Sequence, residues 1–322
     1  MQEVSRKQFY QAVADFEWVP YTQTLAYNLS IVDERTLHFF LDSTESPTVG
    51  CMGYERRKLG LRMICIMGEC LRSLRVDRAA YASFYQALQQ TGFDIYELNI
   101  STPYTVEAEI ALRTAGWLRP VGMFSTNLSK VVPTDTPIQY DRNWKQNLKK
   151  AHQADLTVSF IAHFDADAIH TYMACHQENT RRKGFRDDLS EAGLAILSQD
   201  PCFKMGLVTD AEGTVVAGHI FYAHPLATSS IYAFTTLEGR KHGAAYLLYE
   251  GIVQYLGTQG IKGFDVGRIS PATHKKNNIF LFKDGIGGAY VQYLGEWLWC
   301  RRRWMPLALY FMKKYIWKRV QV

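Results

Sequence analysis

The stretch KVVPTDTPIQYDR, residues 130 to 142, constrains this chain most. Pro133 and Pro137 fix φ and remove backbone donors within a polar segment, so neither a helix nor a central strand can run through it. We expect a connector there, with a structured region on each side. A length of 322 residues suits two domains of about 150 residues each. The expected division is 1–130, a connector at 131–141, a second domain at 142–295, and a tail at 296–322.

Both sides read as mixed α/β. Before the connector, the pattern predicts a helix near 5–15 and strands near 36–42, 48–54 and 61–67. A helix capped by Asp77 follows, then the buried-type strand FDIYELNI, a helix opened by Thr102 and Pro103, and a strand from Met123 to Leu128. After it come a helix at 141–153, a strand at 156–161, helices near 165–181 and 189–198, and the strands FKMGLVTD, TVVAGHIFYA and SSIYAFTT. A helix from about Gly243 to Gly257, the strand IKGFDVG, a short helix ending near Lys283 and the strand AYVQYLG complete the order. Gly92–Gly116 and Gly260–Gly285 each run strand, helix, strand and each contain an Ile-Ser pair (Ile100-Ser101, Ile269-Ser270), the pattern of an internal duplication.

Composition excludes several classes. With 47% hydrophobic and 21% charged residues, the chain is neither disordered nor a small disulfide scaffold. Its six cysteines form no CxxC pair and no zinc-like spacing with histidine, which points to a reduced cytosolic protein. The start MQEVSRKQFY lacks the features of a signal peptide, and no run of about 20 apolar residues is long enough to span a bilayer. The formal charge of +5 is concentrated, since residues 296–322 sum to +6 and hold four of the seven tryptophans. Interleaved Trp, Tyr, Arg and Lys suit the headgroup region of an anionic membrane, suit RNA phosphates and bases, or form a helix docked on its own domain. The expected location is the cytoplasm, at the inner face of its membrane.

The strongest local signal is FTTLEGRKHGAAYLLYEGI, where Arg240, Gly243 and Ala245 fit R-x-x-G-x-A between a strand and a helix. Small residues and a helix N-terminus let backbone amides approach a phosphate, and Arg240 and Lys241 add full charges. The alternative is an ordinary helix start with a solvated basic pair.

At these residues the chain resembles the acyl-CoA pyrophosphate loop of the GNAT acetyltransferase fold. GIKGFDVGRIS and IFLFKDGIGGAYVQYLGEW resemble the closing segment of the FemABX family, as do ENTRRKGF and NWKQNLKKAHQADLTVSF upstream, with QTLAYN a weaker echo near the start. The resemblance implies an α/β mixed-sheet fold of two GNAT-like domains in tandem. It further implies an acyltransferase that moves an aminoacyl group from aminoacyl-tRNA to an amine of a peptidoglycan precursor.

Carried over to this sequence, Phe282 and Lys283 line the transfer site, the Lys283 ammonium stabilising the developing oxyanion or, deprotonated, acting as base. Asp265 orients the amine or caps its loop. Arg182 binds the diphosphate of a nucleotide-linked precursor, and Arg268 joins it on the acceptor side, while both also read as solvated residues. His274 and Asn278, in the same loop, read as solvated or capping residues. Arg240, Lys241, Gly243 and Ala245 hold the donor phosphate. Departures from the family pattern leave two other readings. Tyr27 stands near the family's N-terminal tryptophan, its lysine has no counterpart, and the long heptad arm of some relatives is missing. The preserved R-x-x-G-x-A keeps acyl-CoA open as donor, with an amino sugar or amine of an envelope polysaccharide as acceptor. A non-catalytic membrane-surface binding protein is the third reading. The partners expected are a nucleotide- or lipid-linked envelope precursor, tRNA, and an anionic membrane through residues 296–322. No nucleophile elbow, HExxH, P-loop or Rossmann fingerprint is present, and the scattered histidines predict no metal.

Overall fold

A computed structural model describes the chain except for residue 76 and residues 121–126, 185–188, 270–277 and 317–322. It divides into two compact units, neither a single stretch of chain: Met1–Thr24 with Val32–Leu128 and Val291–Val322, and Leu25–Ile31 with Ser129–Tyr290.

The first unit is built on a mixed sheet. Strands Leu37–Leu41, Val49–Lys58 and Leu61–Ile66 pair antiparallel in turn, with Gln2–Glu3 on the outer edge. Leu61–Ile66 pairs parallel with Ile95–Pro103, through Met63 opposite Ile95. A parallel pair needs a crossover, and the helix Arg78–Leu88 supplies it, capped as expected when Asp77 accepts the Ala80 amide at 2.7 Å. Thr102 and Pro103 do not open the next helix. They finish the strand, and Thr105 caps Val106–Thr114 because its hydroxyl reaches the Ala108 amide.

The strand Ala289–Cys300 closes this sheet by pairing antiparallel with Ile95–Pro103 through residues 293–300. Residues 296–300 are therefore strand rather than the start of a tail, and Trp297, 1% exposed, and Leu298, 5% exposed, belong to the core. The Arg119 guanidinium lies 3.9 Å from the Trp297 ring centroid, a contact that contributes about 1–2 kcal/mol when desolvated. The expected strand from Met123 falls largely outside the described residues; a strand is seen at Leu128–Pro133.

The second unit carries a four-stranded antiparallel sheet ordered Ser229–Thr235, Val215–Tyr222, Phe203–Thr209, Thr157–Ile161. Leu128–Pro133 pairs separately with Gly263–Asp265, so Pro133 sits at the end of a strand, where its missing donor is tolerated. The helix Ala244–Thr258 lays Leu248, Ile252 and Leu256 on the sheet, each 2% exposed or less. Leu248 comes so close to Gly206 that a Cβ there would lie 3.0 Å from it. Across from this helix, Arg142–Gln153 begins at Asp141, whose carboxylate accepts the Trp144 amide at 2.6 Å, and buries Trp144 completely.

Candidate active site

The short helix Asn278–Gly285 carries Lys283, and the second unit fixes that helix firmly. Trp144 Nε1 donates to the Phe282 carbonyl at 2.6 Å, and the Asp141 amide donates to the Gly285 carbonyl at 3.0 Å. Lys130, only 5% exposed, donates to the Asp284 carbonyl and approaches its Oδ1 at 3.3 Å. The Phe282 ring is enclosed by Trp144, Tyr246 and Tyr249, with centroids 4.9 to 5.0 Å away. Phe282 thus anchors the helix by packing, and its neighbour Lys283 is held in place.

Lys283 Nζ donates to the Arg268 carbonyl at 3.0 Å. Burial lowers its pKa to about 8, partly opposed by the negative charge of Asp265. Asp265 is itself 8% exposed and accepts from the Ser129 hydroxyl and, at 2.8 Å, from the Gly267 amide. Gly267 has φ +81, and a Cβ on it would lie 3.2 Å from Lys283 Nζ and 3.3 Å from the Ser230 carbonyl. Only glycine lets the backbone turn this close to the ammonium.

Two further side chains complete the cluster. His219, 0% exposed, meets the Ser230 hydroxyl through Nε2 at 2.8 Å, while its Nδ1 has no hydrogen-bond partner among the described residues. Burial first, then the Lys283 charge, pulls its pKa down to about 3, so the ring is neutral at ordinary pH. Tyr249 stacks at a tilt on His219, 4.9 Å between centroids, and burial raises its phenol to about 12. A register shift between Ile220 and Phe221 brings Ser230 opposite Phe221 and skips Ile231, a bulge of the kind that re-aims side chains beside functional sites. No motif in the sequence singles out His219, Ser230, Tyr249 or Ser129. A titratable residue inside the apolar run VVAGHIFYA was the available signal for His219.

The basic residues form a second group. Arg182, near the end of the helix Ala166–Lys183, donates to Asn179 Oδ1 at 2.9 Å and to the Thr235 carbonyl at 3.2 Å. It lies near enough to Arg240 that partial burial and the Arg182 charge together lower the Arg240 pKa; Lys183 is lowered by burial, then Arg240, then Arg182. Three cations thus converge on one region. Lys241 stands apart from them, paired with Glu238 at 2.7 Å.

The R-x-x-G-x-A segment is not an open loop. Thr236 caps a helical turn, Leu237–His242, and Gly243 at φ +73 links it to Ala244–Thr258. A Cβ on Gly243 would lie 2.8 Å from the Asn147 carbonyl, and Ala244 is wholly buried, so the helix Arg142–Gln153 covers these amides. Ala245, beyond them, is half-buried. Arg268, whose carbonyl holds Lys283, has a half-buried side chain. His274 lies outside the described residues, and Asn278 is the exposed first residue of the Lys283 helix. Among the described residues no group of histidine, cysteine, aspartate or glutamate is arranged to hold a metal ion, and no helix is long and apolar enough to cross a membrane.

No protein-family model and no curated protein matches the chain in sequence. Solved structures do match it in fold. FemX aligns over 97% of this chain and 99% of its own, with a TM-score of 0.74 and 10% identity. The C-terminal domain of a putative lysylphosphatidylglycerol synthetase from Agrobacterium fabrum covers 94% of this chain and 95% of its own at a TM-score of 0.62 and 11% identity. A tandem GNAT protein from the clavulanic acid biosynthesis pathway covers 91% and 93% at a TM-score of 0.51 and 8% identity. These likenesses give the chain a FemX-like fold of two GNAT-like domains in tandem.

Proposed function

We propose that the protein is an acyltransferase that moves an aminoacyl group from aminoacyl-tRNA to an amine of a cell-envelope precursor, with Lys283 at the transfer site. The observation that carries this reading is the Lys283 ammonium, partly buried on a neutral carbonyl with Asp265 and Gly267 around it. Aminolysis of an ester joins the amine nitrogen to the carbonyl carbon and builds negative charge on the carbonyl oxygen. The C–O bond to the ribose then breaks, and the amine's proton is lost as the ribose oxygen gains one. A fixed cation beside that oxygen stabilises the transition state more than the ground state. Lys283 holds this role, and Asp265 keeps its ammonium charged and oriented. His219 and Tyr249, neutral at working pH, set the polar wall behind them.

Arg182, Lys183 and Arg240 form the anion anchor of this reading. Clustered like charges, which add to burial in lowering the Arg240 and Lys183 pKa values, suit a phosphate, which guanidinium groups grip in bidentate fashion. An acyl-CoA donor is the weaker reading, because Gly243 and Ala244, the amides that would cradle a pyrophosphate, are packed under Arg142–Gln153. The fold match to a domain of a putative lysylphosphatidylglycerol synthetase supports keeping a lipid-linked acceptor beside the nucleotide-linked one.

Donor screening of the purified protein tests the proposal. Transfer of radiolabelled amino acid from charged tRNA to a nucleotide- or lipid-linked amine, slowed about 10²–10³-fold by Lys283→Met, is the expected result. Turnover with acetyl-CoA and none with charged tRNA would replace the donor.

A further inference from the structure

The apolar side chains left uncovered on the first unit are grouped rather than scattered. The helix Met305–Phe311 and the wider turn Met312–Ile316 that continues it are two-faced. Met305 and Leu309, 3% and 5% exposed, pack on Met63, Ile95 and Leu298. Trp304, Leu307, Phe311 and Tyr315 are 49% to 62% exposed, and their helical spacing makes one stripe. Arg301, Arg302 and Arg303 precede this stripe directly, and Arg302 and Arg303 have no ion pair among the described residues.

A second element repeats this chemistry. The hairpin of Val49–Lys58 and Leu61–Ile66 turns at Leu59 and Gly60, both with positive φ, at 53° and 76°. Such a turn favours Asn or Gly at its first position, so a leucine there is unfavourable for the turn itself. Leu59 is nevertheless 78% exposed at the tip, directly after Arg56, Arg57 and Lys58. The two elements border one cleft of about 860 Å³, rimmed by Arg56, Arg57 and Lys58 from the hairpin and by Lys313 from the C-terminal turn, with Glu97, which pairs with Lys313, and Glu296 in its wall.

We propose that the hairpin tip and the outer face of the C-terminal helix form a single docking surface for an anionic phospholipid bilayer. Leu59, Trp304, Leu307, Phe311 and Tyr315 enter the headgroup region, and the surrounding arginines and lysines lie against lipid phosphates. Charge complementarity selects the anionic lipid. The leucines select a membrane over RNA, since an aliphatic side chain offers neither stacking nor charge to a nucleic acid. The surface concerns where the protein works and stands independently of the transfer chemistry proposed above.

Vesicle sedimentation with the full chain tests it. The protein should bind vesicles of phosphatidylcholine containing about a third phosphatidylglycerol, and not phosphatidylcholine alone. The double variant Trp304→Ser, Phe311→Ser should lower partitioning roughly ten-fold or more. Arg302→Glu with Arg303→Glu should do the same, and Leu59→Ser should lower it about three-fold. All five positions are exposed, so the melting temperature should stay at the wild-type value. Equal binding to neutral vesicles, or undiminished binding by the double variants, would overturn the proposal. So would loss of bulk tRNA binding in these variants while vesicle binding persists.

Discussion

Lys283 Nζ donates to the Arg268 carbonyl oxygen at 3.0 Å, so the hydrogen bond of this partly buried ammonium goes to a neutral dipole. In the proposed reaction the charge acts on a substrate oxygen, and burial sets its pKa at about 8. A lysine acting as cation works below its pKa. Transfer should therefore decline as pH rises through about 8, whereas a lysine acting as base would gain activity over the same range. Lys283→Met should lower kcat/KM by about 10²–10³, the scale of losing one charge-stabilising donor. A pH profile of kcat/KM decides between the two roles.

The same shift has a consequence for stability. The folded pKa lies below the unfolded lysine value, so between about 8 and 10.5 the unfolded chain binds more protons and stability rises with pH. Below that window the full penalty of burying the charge is present. Lys283→Met should thus stabilise the protein at neutral pH, by about 1–3 kcal/mol after allowance for partial exposure. Denaturant melts of both proteins at pH 7 and near 10.5 should show this gain shrinking at the higher pH.

Arg182 and Arg240 should act on binding rather than on the chemical step. Either change to alanine is expected to raise KM for the phosphate-bearing substrate about ten-fold with kcat nearly unchanged. The double variant should fall short of additivity if both grip one phosphate. Removing Arg182 alone should also raise the pKa of Lys183, whose ammonium it repels.

The elements of the second unit were largely legible because their signals are local. Asp141, Asp165 and Ser190 stand just before helices and cap them, and the DAEG turn separates two strands. The site was legible only in part. Lys283 and Asp265 follow from a resemblance in sequence, but Ser129, His219 and Ser230 reach them across long stretches of chain, which no local pattern records. R-x-x-G-x-A reads as a phosphate-binding helix start, and the motif alone does not reveal that Asn147 packs against Gly243. The last strand is illegible at 296–300 for a similar reason. Trp297 and Trp299 look like a tail beside three arginines, and only the pairing with Ile95–Pro103 buries the first and sets the second against Tyr96.

Gly243→Ala separates packing from ligand approach. With φ at +73 and the Asn147 carbonyl 2.8 Å from the new Cβ, the substitution should cost about 1–3 kcal/mol of stability. Addition of acetyl-CoA should leave the melting temperatures of both wild type and variant unmoved. A thermal shift with acetyl-CoA in the wild type alone would restore the phosphate-loop role.

Glu69 poses a separate question in the first unit, where it is 0% exposed with no cation bonded to it among the described residues. Tyr81, Tyr85 and Thr102 donate to its carboxylate at 2.8, 2.5 and 2.7 Å. Burial raises its pKa, and the three hydroxyls only partly offset that. The folded state therefore holds a proton on Glu69 more readily than the unfolded one, so this group's contribution is fully present below the unfolded pKa and is lost as pH rises through the folded pKa. Tyr85→Phe removes one donor from a buried acceptor and should destabilise by about 1–3 kcal/mol. In the Glu69→Gln background the same change should matter less, since a neutral amide loses less than a carboxylate. A double-mutant cycle by urea denaturation measures the coupling, and additive effects would show that the three hydroxyls do not act on the charge.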